Sequence, residues 1–401
     1  MPFQDQLDLL SLIEDIRQAT AKDSSSSSSS RSSQSHFHLL SLIDQLRLAV
    51  ETPTETVLRL IYQPPQNAAL RTLIDLGVFD LLVSHSGRGL SATELSAYTS
   101  AEPGLIIRLM RVVTALGLCE NPETEIYCPN HRTAILTQPI GRDGIRCIYD
   151  LTMPTLARLP EYFRAHNYDI PKEYSASPMR WATGQSQFEW LAQRRHQQVL
   201  FNSYMSSRRQ GKPSWFDVYP VDRLTAALLD KGDVFVVDVG GNQGHDLVRF
   251  RERYPDIPGR LVLQDLPAVV AGLECEGVEA MGYSFLDLQP VKGARTYYFR
   301  AIFHDWPDEV CLKILRNTIS AMDPAKSRIL IVDFVLPDTE TPLLQASLDI
   351  QMMSIGAGVE RSKRQWTELL RAAGLEIWGI WSAGPGTESV IETGIGKSDQ
   401  M

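Results

Sequence analysis

"VFVVDVGGNQGHDLVRF", Val234 to Phe250, is the stretch whose reading decides the fold. Apolar β-formers on both sides of Asp238 predict a buried strand, Gly240 to Gly244 a turn, and the residues after it a helix. Glycine lets a turn approach a ligand closely and take up positive φ, and the helix that follows offers free N–H groups. The turn contains neither G-x-G-x-x-G in register nor G-K-[ST], so it fits neither a dinucleotide loop nor a P-loop.

Downstream, "RLVLQDL", "ARTYYFRAIF", "RILIVDFVL" and "SVIETGI" are further β-rich runs separated by helical stretches. This alternation predicts an α/β domain with an open, mostly parallel sheet covered on both faces, in which ligands sit beyond the carboxyl ends of the strands. Asp238 and Asp265 end two successive strands, and Asp287 lies near the third. Carboxylates in that row suit a ligand carrying an ammonium, a sulfonium, ribose hydroxyls and an adenine amine, and suit a pyrophosphate poorly. S-adenosylmethionine (SAM) has those groups. Taken singly, each Asp is equally well read as the cap of its own turn.

The chain before this domain divides into three. Residues 1–55 hold two amphipathic helices, "LDLLSLIEDI" and "FHLLSLIDQLRLAV", around a serine-rich linker at about 21–36 that has nothing to bury and is expected to be disordered. Residues 56–140 read as helices, with a capping box at Ser91 and Glu94, a helix "GLIIRLMRVVTALG" closed by Gly117, and a hairpin in "CENPETEIYCPN"; that order predicts a winged helix. Its recognition helix carries only Arg108 and Arg111, too little charge to grip DNA. Residues 141–229 are helical and rich in Met, Arg and aromatics, which suits a pocket lid or plain helix packing. Residues 230–401 are the α/β domain.

"VDVGGNQGHDL", "LQDLP", "FRAIFHDWPDEVCLKIL", "ILIVDFVLPD" and "GVERSKRQWTELLRAAGL" together resemble the signatures of the SAM-dependent O-methyltransferases of the caffeate and flavonoid type, including fungal secondary-metabolite enzymes. The likeness runs over roughly residues 56 to 395. It implies a Rossmann-like SAM-binding domain, an N-terminal all-helical winged-helix domain used for dimerisation, and a homodimer that exchanges these domains. It also implies that Gly240, Gly241, Asp265, Asp287, Leu288 and Arg300 line the cofactor site, and that Phe201 and Met205 in "LFNSYM" line the acceptor pocket. Where the family has a third glycine this chain has Asn242, a residue that tolerates left-handed φ but brings a side chain toward the cofactor.

His304 lies between the strand "ARTYYFRAIF" and a helix, with Asp305 read as that helix's N-cap and Pro307 in its first turn. Methyl transfer to oxygen is an in-line displacement that needs alignment and a deprotonated hydroxyl but no metal, and a neutral imidazole can accept the proton. The resemblance makes His304 that base, oriented by Glu360 and Asp333. Of the two, Glu360 is the better candidate, because Asp333 is one methylene shorter than the Glu of plant relatives.

A formal charge of −9 with no long basic run disfavours nucleic acid as a partner and favours a small molecule, with Phe, Trp and Met abundance pointing to a flat phenolic or polyketide-like acceptor. Five scattered cysteines without C-x-x-C spacing argue against a disulfide framework or a zinc site and fit the cytosol. No apolar run is long enough to cross a membrane. Two other readings stay open. One is a SAM-binding protein of this fold that directs dehydration or pericyclization without methylating; the other is a regulator built on the winged helix.

Overall fold

The computed structural model describes residues 9–25, 34–208, 210, 212–225, 232–384 and 386–396. The chain forms two compact units. The first takes residues 39–160 and 187–211 with the N-terminal stretch up to Lys22, and the second takes 23–38, 161–186 and everything from Lys212 onward. The Met- and aromatic-rich region is thus shared between them.

In the first unit the Leu9–Ser25 and Gln34–Val50 helices meet through Leu12, Ala19 and Leu42. Helix therefore replaces both ends of the expected 21–36 linker, with helix continuing to Ser25 and resuming at Gln34; residues 26–33 lie outside the described residues. Short strands β1 (Leu90–Ser91), β2 (Glu120–Glu123) and β3 (Ile126–Cys128) make an antiparallel sheet in the order β1-β3-β2, the wing beside the helices. The capping box is present: Glu94 N–H donates to Ser91 Oγ at 3.2 Å, and Ser91 N–H to Glu94 Oε2 at 2.8 Å. Gly117, at φ +69°, follows the Pro103–Ala115 helix, whose Ile106, Met110 and Val113 share one buried face with Leu73, Phe79 and Leu95.

The second unit is built on a seven-stranded sheet. Its strands are β4 (Val234–Val239), β5 (Arg260–Asp265), β6 (Glu279–Gly282), β7 (Thr296–Arg300), β8 (Arg328–Asp333), β9 (Leu375–Ser382) and β10 (Ser389–Ile395), in the order β6-β5-β4-β7-β8-β10-β9. The first five run parallel, and β10 is antiparallel to both its neighbours. Both faces are buried, as a covered parallel sheet requires. Tyr297, Phe299, Ile329 and Ile331 pack one way against the helices Asp308–Ile319 and Lys363–Ala372, while Tyr298, Leu330 and Val332 pack the other way against Trp215, Leu247 and Phe250. The order reverses between β4 and β7, the switch point at which open α/β sheets have their ligand crevice, beyond the carboxyl ends of the strands.

Candidate active site

The turn after β4 is formed as its sequence predicts. Gly240 and Gly244 have φ of +77° and +73°, and Asn242 takes a left-handed φ of +55° where the family has glycine. A Cβ on Gly241 would collide with the Asp238 carboxylate and Leu263, so the backbone there must stay bare. Asp265, at the end of β5, accepts from Asn242 N–H at 2.8 Å and from Leu266 N–H at 2.7 Å. Its carboxylate ties the two loops together, as the capping alternative expected, and retains lone pairs for a hydroxyl. Asp287 and Leu288 are exposed beyond β6, Leu288 by 70%.

Arg300, at the end of β7, is buried and committed to carboxylates. Its Nη1 meets Asp246 at 3.0 Å and its Nη2 meets Glu388 at 2.6 Å, while Tyr298 Oη donates to Asp246 at 2.9 Å. The neutralised guanidinium leaves the crevice with carboxylates and a glycine cradle, a donor set that fits a cationic sulfonium with hydroxyls and an amine.

Beyond Arg300 the chain leaves the sheet through Ala301, a non-glycine residue at φ +52°, a strained conformation of the kind that clusters at functional sites. A 3-10 turn, Phe303–Asp305, then carries His304. The next helix begins only at Asp308 with Pro307 as its cap, so the expected N-cap at Asp305 is corrected: Pro307, lacking an N–H, starts the helix, and Asp305 is left in the turn beside the imidazole.

His304 is 9% exposed, and its Nδ1 is 2.7 Å from Glu360 Oε1; its Nε2 is 3.5 Å from Asp305 Oδ1. With Nδ1–H donated to Glu360, the lone pair of the neutral ring lies on Nε2. Asp333 ends β8 close by, 2% exposed, and no hydrogen bond joins it to the ring among the described residues. Asp333 Oδ2 and Glu360 Oε2 are both buried without a partner. Burial opposes a charge on His304, but Asp305, Asp333 and Glu360 outweigh it and push the imidazole up to about 10. Burial raises Asp333 to about 8, against the pull of His304.

The structure thus brings His304, Glu360 and Asp333 together. Phe201 and Met205 stand half-buried in the first unit, on the Arg195–Ser207 helix, which is fixed to Asp143 by Ser203 Oγ at 2.6 Å. Reading the sequence missed Asp305 as a ring neighbour and missed the Asp246–Arg300–Glu388 network. It also missed Asp349, whose Oδ1 accepts the Glu360 N–H at 2.8 Å. Only the helical spacing of "LDIQMMSIGAG" hinted that Asp349 faces inward.

Comparison with known proteins agrees with the fold. The O-methyltransferase domain family matches residues 167–376, and the O-methyltransferase dimerisation domain matches 64–136. Methyltransferase cfoC of Aspergillus candidus is 35% identical over 96% of this chain and 97% of its own length. Demethylsterigmatocystin 6-O-methyltransferase of Aspergillus parasiticus is 32% identical over 84% and 86%. Among solved structures, LepI in complex with SAM has a TM-score of 0.85 at 28% identity, covering 98% of this chain and all of that one. OxaC in complex with sinefungin and meleagrin has a TM-score of 0.82 at 27%, covering 97% and 99%. SAM is the cofactor of this family, and among the described residues no helix is long and apolar enough to cross a membrane. The chain belongs to the SAM-dependent O-methyltransferases.

Proposed function

We propose that the protein methylates a hydroxyl of a small aromatic or polyketide-like secondary metabolite, with His304 as general base and as a homodimer in the cytosol. The observation that carries this reading is the buried His304–Glu360 contact of 2.7 Å at the crevice end of the sheet. SAM supplies a methyl group on a cationic sulfonium, and that charge opposes protonation of His304. Gly240, Gly241, Asp265, Asp287 and Leu288 are the residues that would hold it, while Arg300 acts through Asp246 and Glu388. Glu360 orients the imidazole and supports its charge once Nε2 has taken the acceptor's proton, a role that typically contributes about 10² to 10⁴ in rate. Phe201 and Met205 are assigned to the acceptor side. The dimerisation domain at 64–136 supports the homodimer.

The test is incubation with methyl-labelled SAM and a panel of phenols, scoring product mass and S-adenosylhomocysteine. A gain of one methyl supports the assignment, provided His304→Ala slows it by about 10² or more and still binds SAM.

A second reading has its own support. A solved structure described as a pericyclic reaction enzyme shares the fold with a TM-score of 0.85 at 28% identity, and an imidazolium held up to about 10 is suited to giving a proton. An unmethylated isomer or dehydrated product from the same incubations, with no S-adenosylhomocysteine, would establish that reading instead.

A further inference from the structure

The turn that carries His304 is held in a mould made by four consecutive residues. A Cβ on Gly358 would collide with the His304 carbonyl, and Val359 N–H donates to that carbonyl at 2.9 Å. Glu360 takes the ring. Arg361, 1% exposed, reaches past both of them. Its Nη1 donates to Phe303 O at 2.8 Å and its Nη2 to Trp306 O at 2.9 Å, so the two carbonyls it grips lie on either side of His304 and Asp305. Nε and Nη2 both donate to Asp308 Oδ1, at 3.0 and 2.7 Å, and the guanidinium lies 5.4 Å from the Trp366 ring centre. A planar fork with donors at fixed angles holds two carbonyls and a carboxylate at once, which a lysine ammonium does not do. The methyl-transfer reading uses the Glu360 contact and none of the Arg361 ones.

We propose that Arg361 is a positioning residue for His304, fixing the backbone on both sides of the imidazole so that Nδ1 stays on Glu360. The proposal rests on the reading of His304 as base, but its test needs no turnover. The charged groups around the ring are Asp305 on its own turn, Asp333 at the end of β8, Glu360 beside Arg361, Asp349 on the Leu343–Gly356 helix and Asp308 at the start of the next helix. Release of the turn separates the ring from the nearest of them, Glu360, while Arg361→Lys leaves the local charge count unchanged.

The experiment is a pH titration of the full-length protein labelled at histidine Cε1, with the His304 resonance identified by its absence in His304→Asn. In the wild type the ring titrates well above the ordinary imidazole range. In Arg361→Lys the midpoint falls by about one unit or more, and kcat drops at least about tenfold while SAM binding stays within about twofold. Should the lysine variant fail to fold, Asp308→Glu gives the reading, since that carboxylate is 66% exposed and lengthening it displaces the guanidinium's partner without opening the core or changing the charge count. It shifts the midpoint the same way by a smaller amount. An unmoved midpoint in folded Arg361→Lys, or in Asp308→Glu in its place, overturns the proposal. Full methylation by His304→Ala would overturn the base assignment and leave the titration result standing.

Discussion

Strand β8 carries buried charge at both ends, in opposite states of completion. At the Arg328 end, Glu392 is fully buried between two guanidiniums, with Oε2 accepting from Arg223 at 2.8 Å and Oε1 from Arg328. Those guanidiniums lie over Trp381 and Trp378. At the Asp333 end, Glu360 gives one oxygen to His304 and leaves the other unpartnered, as Asp333 does with Oδ2. A carboxylate with both oxygens on cations is an element of the fold, whereas one left half-paired beside a titratable ring can support a change of protonation. The same residue types at the two ends of one strand therefore do different work, and the difference lies in whether the partners can exchange a proton.

Four substitutions break or sharpen that contrast. The largest effect is expected from His304→Ala, which lowers kcat by about 10² to 10⁴ and leaves the calorimetric affinity for SAM unchanged. At the paired end, Glu392→Gln leaves two cations without their carboxylate and costs about 3 kcal/mol of stability by denaturant unfolding, with kcat of the folded enzyme intact. Loss of activity beyond the folded fraction there would erase the distinction between the ends. Glu360→Gln removes the ring's partner and lowers the His304 midpoint by about one to three units, read from the pH dependence of kcat.

The smallest effect belongs to Asp333→Asn, and its sign follows from proton counting. Asp333 is neutral in the folded chain up to about 8 but ionised in the unfolded chain above its usual value near ~4, so the folded state binds the extra proton and stability falls as pH rises through that window. His304 adds a contribution of the same sign, complete below its unfolded value near ~6.5 and lost as pH rises through about 10. Asparagine removes the first component, flattening the decline of Tm between acid and mildly alkaline pH and raising Tm by roughly 2 °C at its upper end.

The strands and the helix after His304 were legible because apolar runs and periodicity report burial directly. The β6 run Glu279–Gly282 was not, since an exposed edge strand has no apolar pattern to betray it, and β9 mixes Trp, Gly and Glu without strict alternation. The His304–Glu360 pair was reachable only through the family's motifs, because the two residues are 56 positions apart. The burial of Arg300 was illegible: a guanidinium committed to Asp246 and Glu388 cannot be told from a ligand-binding one by its place at a strand end. Asp305 was read as a cap because an N-cap Asp with Pro in the first turn is a common helix start, and the structure instead begins the helix after Pro307.

The central claim, that a carboxylate-braced imidazole takes the acceptor's proton, is tested most directly by single-turnover methyl transfer to a phenol at saturating SAM, followed against pH in wild type and Glu360→Gln. The account predicts a wild-type rate that climbs on the alkaline side as His304 loses its proton, and a slower variant whose climb lies at lower pH. Superimposable pH profiles for the two proteins would contradict it.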